Sequence, residues 1–237
     1  MRTYKLYAES GPQHRKTQVH VLELLGCTVN GPTTDDAVNA APDTIRTYLR
    51  YLKQHGEDVD PNEPFTTELA EHVTTGIWLG NGDPYPGFPP DFEPLSKADL
   101  KTYVQRLDWF QESIMRLTAD LSLKELSAKP AKGRPIRQII EHVAGAQLAY
   151  LQSPLVRPKG LSAALRAIEQ GPDLPAAFAE FWPMVHAELT AITDKQRTEQ
   201  VPHGAKIWTA RRGLRRCLEH AWEHLAEIAT RLGKAPE

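Results

Sequence analysis

The chain has 237 residues, enough for one large domain or two small ones. With 28 Lys and Arg against 30 Asp and Glu its net charge is -2, which gives no general basis for binding nucleic acid or an anionic membrane. The first ten residues lack the apolar core of a secretion signal, no apolar run is long enough to span a bilayer, and Cys27 and Cys217 share no CxxC spacing. A disulfide framework is therefore not expected, and a reducing cytoplasm is the expected location.

In chain order, residues 3–9 and 16–30 are rich in Thr, Val, Tyr and Leu and predict strands around a turn at Gly11, Pro12, Gln13 and His14. Gly26 and Gly31 flank a short strand at 27–30. Thr33 or Thr34 then caps a helix with Asp35 and Asp36 in its first turn. Val38, Ala41, Ile45, Tyr48, Leu49 and Leu52 recur at helical spacing until His55 and Gly56, where glycine supplies a left-handed stop. Pro42 falls inside this pattern and predicts a kink or a restart. A last strand is expected at 65–73. Residues 83–94 hold five prolines, which forbid regular structure and mark a linker. Its aromatics Tyr85, Phe88 and Phe92 predict packing on a surface.

After Ser96 the pattern turns helical, with segments at 97–122, 134–151, 174–194 and 209–233. Each carries a one-sided apolar stripe, such as Leu100, Val104, Leu107, Ile114 and Leu121 in the first. Breakers at 129–133, 158–160 and 202–204 separate them, a short extra helix is expected at 161–168, and Pro183 predicts a bend in the third. The expected class is α+β: a small sheet domain at 1–82, a Pro-rich linker at 83–95, and an all-α four-helix bundle at 96–237.

His220 and His224 stand four residues apart, so both imidazoles fall on one helix face. His142 occupies a similar edge of the second long helix. Three neutral imidazoles that leave a coordination position open suit a divalent metal ion. The alternative is three structural histidines at a buried margin. Glu141, Glu219, Glu223 and Glu227 flank them. Glu227, three residues from His224, is the first candidate to orient an imidazole or to act as the catalytic base; the alternative for all four is a solvated helix face. Arg211, Arg212, Arg215 and Arg216 cluster before the histidines, with Trp208 upstream. Arg212, Arg216 and Trp208 are the candidates for binding a carboxylate or phosphate of a substrate, against an exposed basic face paired with acids. Cys217 reads as a small core residue, and His186 as a possible neighbour of the same cavity that no second ligand accompanies.

The run 139–144 around His142, and the run 208–228 with its His-x-x-x-His, resemble the DinB/YfiT-like superfamily of metal-binding four-helix bundles over residues 96–233. The resemblance implies a divalent ion, zinc or nickel, held by His142, His220 and His224, and an activity such as thiol-dependent transfer on a low-molecular-weight thiol. Residues 19–37, with Gly26, Cys27, Gly31, Thr33, Asp35, Asp36 and Ala37, resemble the HicB-like antitoxin fold over residues 2–73. That resemblance implies a small sheet with one helix across it, which in toxin–antitoxin systems blocks an RNase toxin. No DNA-binding segment of the kind that usually follows is present here.

The expected function is thus a divalent-metal-binding protein, a metal-dependent thiol transferase or hydrolase acting on a small molecule. The competing reading is a non-catalytic interaction module on a structural bundle. A sheet this small is marginal alone, so it is expected to pack on the bundle or on a second copy, and a homodimer is expected. Neither membrane nor nucleic acid is an expected partner.

Overall fold

The computed structural model describes residues 1–81, 87–152, 160–171, 173–203 and 206–236. The expectations for Tyr85, for most of the breaker at 158–160 and for Gly204 lie outside the described residues. The fold is mixed α+β, with a small N-terminal sheet and, among the described residues, eight α-helices. It divides into two compact units: Met1–Glu93 with Pro202–Ile207, and Pro94–Val201 with Trp208–Pro236. No helix among the described residues is long and apolar enough to cross a membrane.

In the first unit, β1 (Arg2–Ser10), β2 (Arg15–His20), β3 (Thr28–Thr33) and β4 (Phe65–Val73) form one sheet in the order β3-β2-β1-β4. β1 runs antiparallel to β2 and parallel to β4. The strand expected at 16–30 breaks between His20 and Thr28. There Val21 N donates to Cys27 O and Leu24 N to Val21 O, closing a loop that buries Val21, Leu24 and Cys27. A single helix, α1 (Thr34–Gln54), packs on β2 and β3. Thr33 is its N-cap, accepting from Asp36 N at 3.2 Å. Gly31 lets the strand pass under the helix start, since a Cβ there would sit 2.5 Å from Ala37 N.

The helix does not restart at Pro42: α1 continues through it. Proline inside a helix costs about 3 kcal/mol. Ala37, Ala41, Ile45, Tyr48, Leu49, Tyr51 and Leu52 are all buried along one face. Burial of each large apolar side chain returns roughly 1.5–3 kcal/mol, so packing outweighs the break. The Pro-rich stretch also departs from expectation, forming a short 3-10 helix at Pro89–Phe92. Phe88 before it is fully buried, its ring 5.2 Å from Tyr7 and 5.3 Å from His20. Ser10 Oγ lies 2.7 Å from Thr17 Oγ1, 2.8 Å from Thr34 Oγ1 and 2.7 Å from His72 Nε2, tying β1, β2, α1 and β4 together.

The second unit holds α2 (Lys97–Thr118), α3 (Leu123–Leu126), α4 (Ile136–Gln152), α5 (Leu161–Gln170), α6 (Leu174–Thr190), α7 (Asp194–Thr198) and α8 (Ala210–Arg231). A two-stranded ribbon, β5 (Val201–His203) and β6 (Lys206–Trp208), precedes α8. The expected first helix is shorter than 97–122 because Ser122 begins a new one. Ser122 Oγ accepts from Glu125 N, and Glu125 Oε2 accepts from Ser122 N, the reciprocal pair of a capping box. Thr193 and Gln196 do the same for α7. α8 packs on α2 and α4, α6 packs on α2 and α5, and α5 packs on α4.

Candidate metal centre

α8 is the element on which the site is built, and it is buried far beyond an apolar stripe. Arg212, Arg215, Arg216, Glu219 and His220 are all inside, with Leu214, Cys217, Leu218 and Ala221. Its i, i+4 spacing puts His220 and His224 on one face, their ring centroids 4.5 Å apart. α4, packed against α8, brings His142 to 4.7 Å from the His220 ring and 5.2 Å from the His224 ring. His220 Nε2 and His142 Nε2 are 3.1 Å apart. One ligand atom from each of the three rings lies within 4.8 Å of the others. Nitrogens on a tetrahedral ion at about 2.0–2.1 Å stand about 3.3 Å from one another, so the closest pair already has the spacing of two ligands.

His220 is 7 % exposed and His224 9 %. Burial, reinforced by Arg134 and His224, lowers His142 to about 4. Burial and the facing imidazoles push His220 well below the ordinary histidine range. Both rings are therefore neutral at neutral pH and keep a lone pair. His220 Nδ1 is buried with no hydrogen-bond partner. The nitrogen of that ring that faces the cluster is Nε2, toward His142. The three rings thus fit a divalent cation of borderline softness, with room for further ligands.

Glu227 sits where its spacing from His224 predicts. His224 Nδ1 donates to Glu227 Oε2 at 2.8 Å, and Arg231 donates to the other oxygen. The bond from His224 is the main cause that holds the Glu227 carboxyl below the usual range. With both oxygens engaged, it is placed to orient His224 and to leave Nε2 as that ring's open nitrogen. Glu141 takes no part in this, since Arg137 Nε donates to it at 2.8 Å.

The arginine cluster departs from an exposed basic face. Arg212, Arg215 and Arg216 are 1–2 % exposed. Arg215 Nη1 donates to both oxygens of Glu219, at 3.0 and 2.8 Å, and Arg216 Nη1 to Glu219 Oε2 at 2.8 Å. The Arg212 guanidinium lies 4.9 Å from the centre of the Trp208 ring, within cation–π reach. Arg211 is the least buried of the four and donates to Asp99 Oδ2 at 2.7 Å. Tyr150 was not singled out from the sequence. Its ring is 5.9 Å from that of His220, and the Arg216 guanidinium is 5.8 Å from its centre. Its position two turns along α4 from His142 was the available signal. His186 does not join the three histidines; it pairs with Asp108 at 2.9 Å.

Cys217 is fully buried, and desolvation pushes its thiol far above the ordinary value. Cys27 is fully buried as well. The native protein is therefore expected to react with neither equivalent of a thiol reagent such as Ellman's until denaturant is added. Rapid modification of Cys217 under native conditions would show that the α8 core opens.

A family model described as the DinB superfamily matches residues 106–228. No curated protein and no solved structure matches the chain.

Proposed function

The chain belongs to the DinB superfamily, whose members often bind metal, and on that premise we propose that His142, His220 and His224 hold one divalent cation, zinc or nickel. The helices α2, α4, α6 and α8 form the four-helix bundle around it, and the protein binds and transforms a small molecule there. The observation that carries this reading is the convergence of three ring nitrogens from two helices, with one Nε2 pair at 3.1 Å. A bound divalent ion of this kind lowers the pKa of a thiol or a water, giving a nucleophile at neutral pH. A low-molecular-weight thiol or a hydrolysable small molecule is thus the substrate class.

The chain's own residues divide the remaining work. Glu227 fixes the His224 ring and keeps its proton on Nδ1. That makes it a positioning residue, with its basicity spent on the imidazole. Arg216, one turn from His220 and 5.8 Å from the centre of the Tyr150 ring, is buried and paired with Glu219, and favours an anionic substrate through its charge beside the histidines. Arg212 and Trp208, paired a further turn away, hold that region in shape. The strand order of the first unit, with β4 at a sheet edge, supports a HicB-like domain that binds a partner protein or a second copy. In a purely non-catalytic module that would be the whole function.

Metal analysis of protein purified without an affinity tag is the test, with about one divalent ion per chain expected for a site of this type. A protein that carries none, and takes up none when zinc or nickel is offered, would leave the histidines as structural groups and the interaction reading in force.

A further inference from the structure

An open pocket lies in the helical unit, built by faces of α2 and α6 that the three histidines do not use. It has a volume of about 400 Å³ and is lined by Lys97, Leu100, Lys101, Val104, Asp108 and His186, together with Gln105 and Thr190. That volume falls within the roughly 300–1,000 Å³ of small-molecule sites, which pair an apolar lining with a few convergent polar groups. The α2 residues recur at three- and four-residue spacing, so one helix face supplies both the apolar floor, Leu100 and Val104, and the charges.

The polar wall is ordered. Asp108 Oδ1 accepts from Trp182 Nε1 at 2.8 Å and from His186 Nδ1 at 2.9 Å. A carboxylate offers only acceptors, so Nδ1 is the donor to Asp108 and Nε2 is the ring's other nitrogen. Nε2 makes no hydrogen bond to a described residue. The charges do not balance: two ammonium groups face one carboxylate, and that carboxylate already takes two N–H donors. Lys97 has a single distant ion pair, Asp194 at 3.8 Å, with both side chains 78 % exposed. A contact of that kind is worth little and is readily exchanged for a ligand.

We propose that this α2–α6 cavity binds a small organic acid with an apolar body and a hydroxyl group. Its carboxylate meets Lys97 and Lys101, its body lies on Leu100 and Val104, and its hydroxyl donates to His186 Nε2. The site is separate from the histidine cluster and does not depend on a metal there.

The test is titration with 4-hydroxybenzoate, followed through the ¹⁵N resonances of the His186 ring and the Trp182 indole. Saturable shifts at both are expected. The neutral 4-hydroxybenzamide, lacking the charge that the ammonium groups recognise, is expected to bind about tenfold more weakly. Benzoate, lacking the hydroxyl, is expected to lose about fivefold. Val104→Trp fills the floor and is expected to abolish the shifts. Because Val104 is buried, the exposed Lys101→Glu provides an independent variant, expected to weaken 4-hydroxybenzoate at least tenfold while leaving the Trp182–Asp108 indole signal in place. Absence of saturable shifts, an amide that binds as tightly as the acid, or a Lys101→Glu protein with unchanged affinity would overturn the assignment. Benzoate binding equal to that of the hydroxy acid would remove His186 from it.

Discussion

Replacing His220 by alanine is expected to reduce the bound divalent ion from about one per chain to near zero while the helices persist. His220 is the ring with the shortest approach to both others, at 4.5 and 4.7 Å between centroids, and its Nε2 faces that of His142 at 3.1 Å. Without it two imidazoles remain, on different helices, and the set of three donors is lost. The substitution removes one polar contact, that of Nε2 with His142, since His220 Nδ1 has no hydrogen-bond partner. The loss should therefore show mainly as lost metal and lost metal-linked stability. An ion present at a thousand times its dissociation constant stabilises the folded state by about 4 kcal/mol. A chelator should accordingly lower the melting point of the native protein and leave that of His220→Ala unmoved. Glu227→Gln tests the orienting bond separately, with affinity expected to fall about 10–100-fold. Full metal content in His220→Ala would refute the three-histidine site.

How much of this could be read beforehand depends on the range of the interaction responsible. The i, i+4 spacing of His220 and His224 and the Thr33 cap are local, and local geometry was enough to place them. β4 spans the residues expected of it, Phe65–Val73. No restart occurs at Pro42 because a local penalty is set against seven side chains that α1 itself buries in the unit. The arginines misled for the same reason in reverse. Their composition describes a solvated face, and only the packing of α2 and α4 on α8 shows that the face is inside. The capping boxes that start α3 and α7 were visible in Ser122, Glu125, Thr193 and Gln196, but each was hidden within the apolar pattern of a longer helix. The Asp108–His186 contact spans 78 positions, and no periodicity along one helix foretells a partner on another.

Glu219→Ala is expected to cost about 3–5 kcal/mol, the scale found when one member of a buried ion pair is removed. Glu219 is 1 % exposed and accepts charge-assisted hydrogen bonds from Arg215, on both oxygens, and from Arg216, themselves 3 % and 1 % exposed in their side chains. Arg212 adds a third guanidinium on the same stretch of α8, also buried. Take the carboxylate away and these like charges face one another in a medium that screens them far less than water does. Since a domain holds only about 5–15 kcal/mol in reserve, the helical unit should unfold at markedly lower urea. Glu219→Gln keeps the shape and an acceptor but not the charge, and should fall between the two. Asp194→Ala, which removes an exposed partner of Lys97, is the control, expected to change stability by about 1 kcal/mol or less. Replacing Arg215, Arg216 and Glu219 together by Met and Leu separates two explanations. If uncompensated charge is what destabilises Glu219→Ala, the apolar triple variant should recover most of the loss; if packing volume is the cause, it should not. The triple variant should still bind an anionic small-molecule substrate poorly, because it lacks the Arg216 charge beside Tyr150 and His220. A Glu219→Ala protein as stable as the native one would mean that the guanidinium groups are satisfied without it, and that the buried charge on α8 is held by something other than this carboxylate.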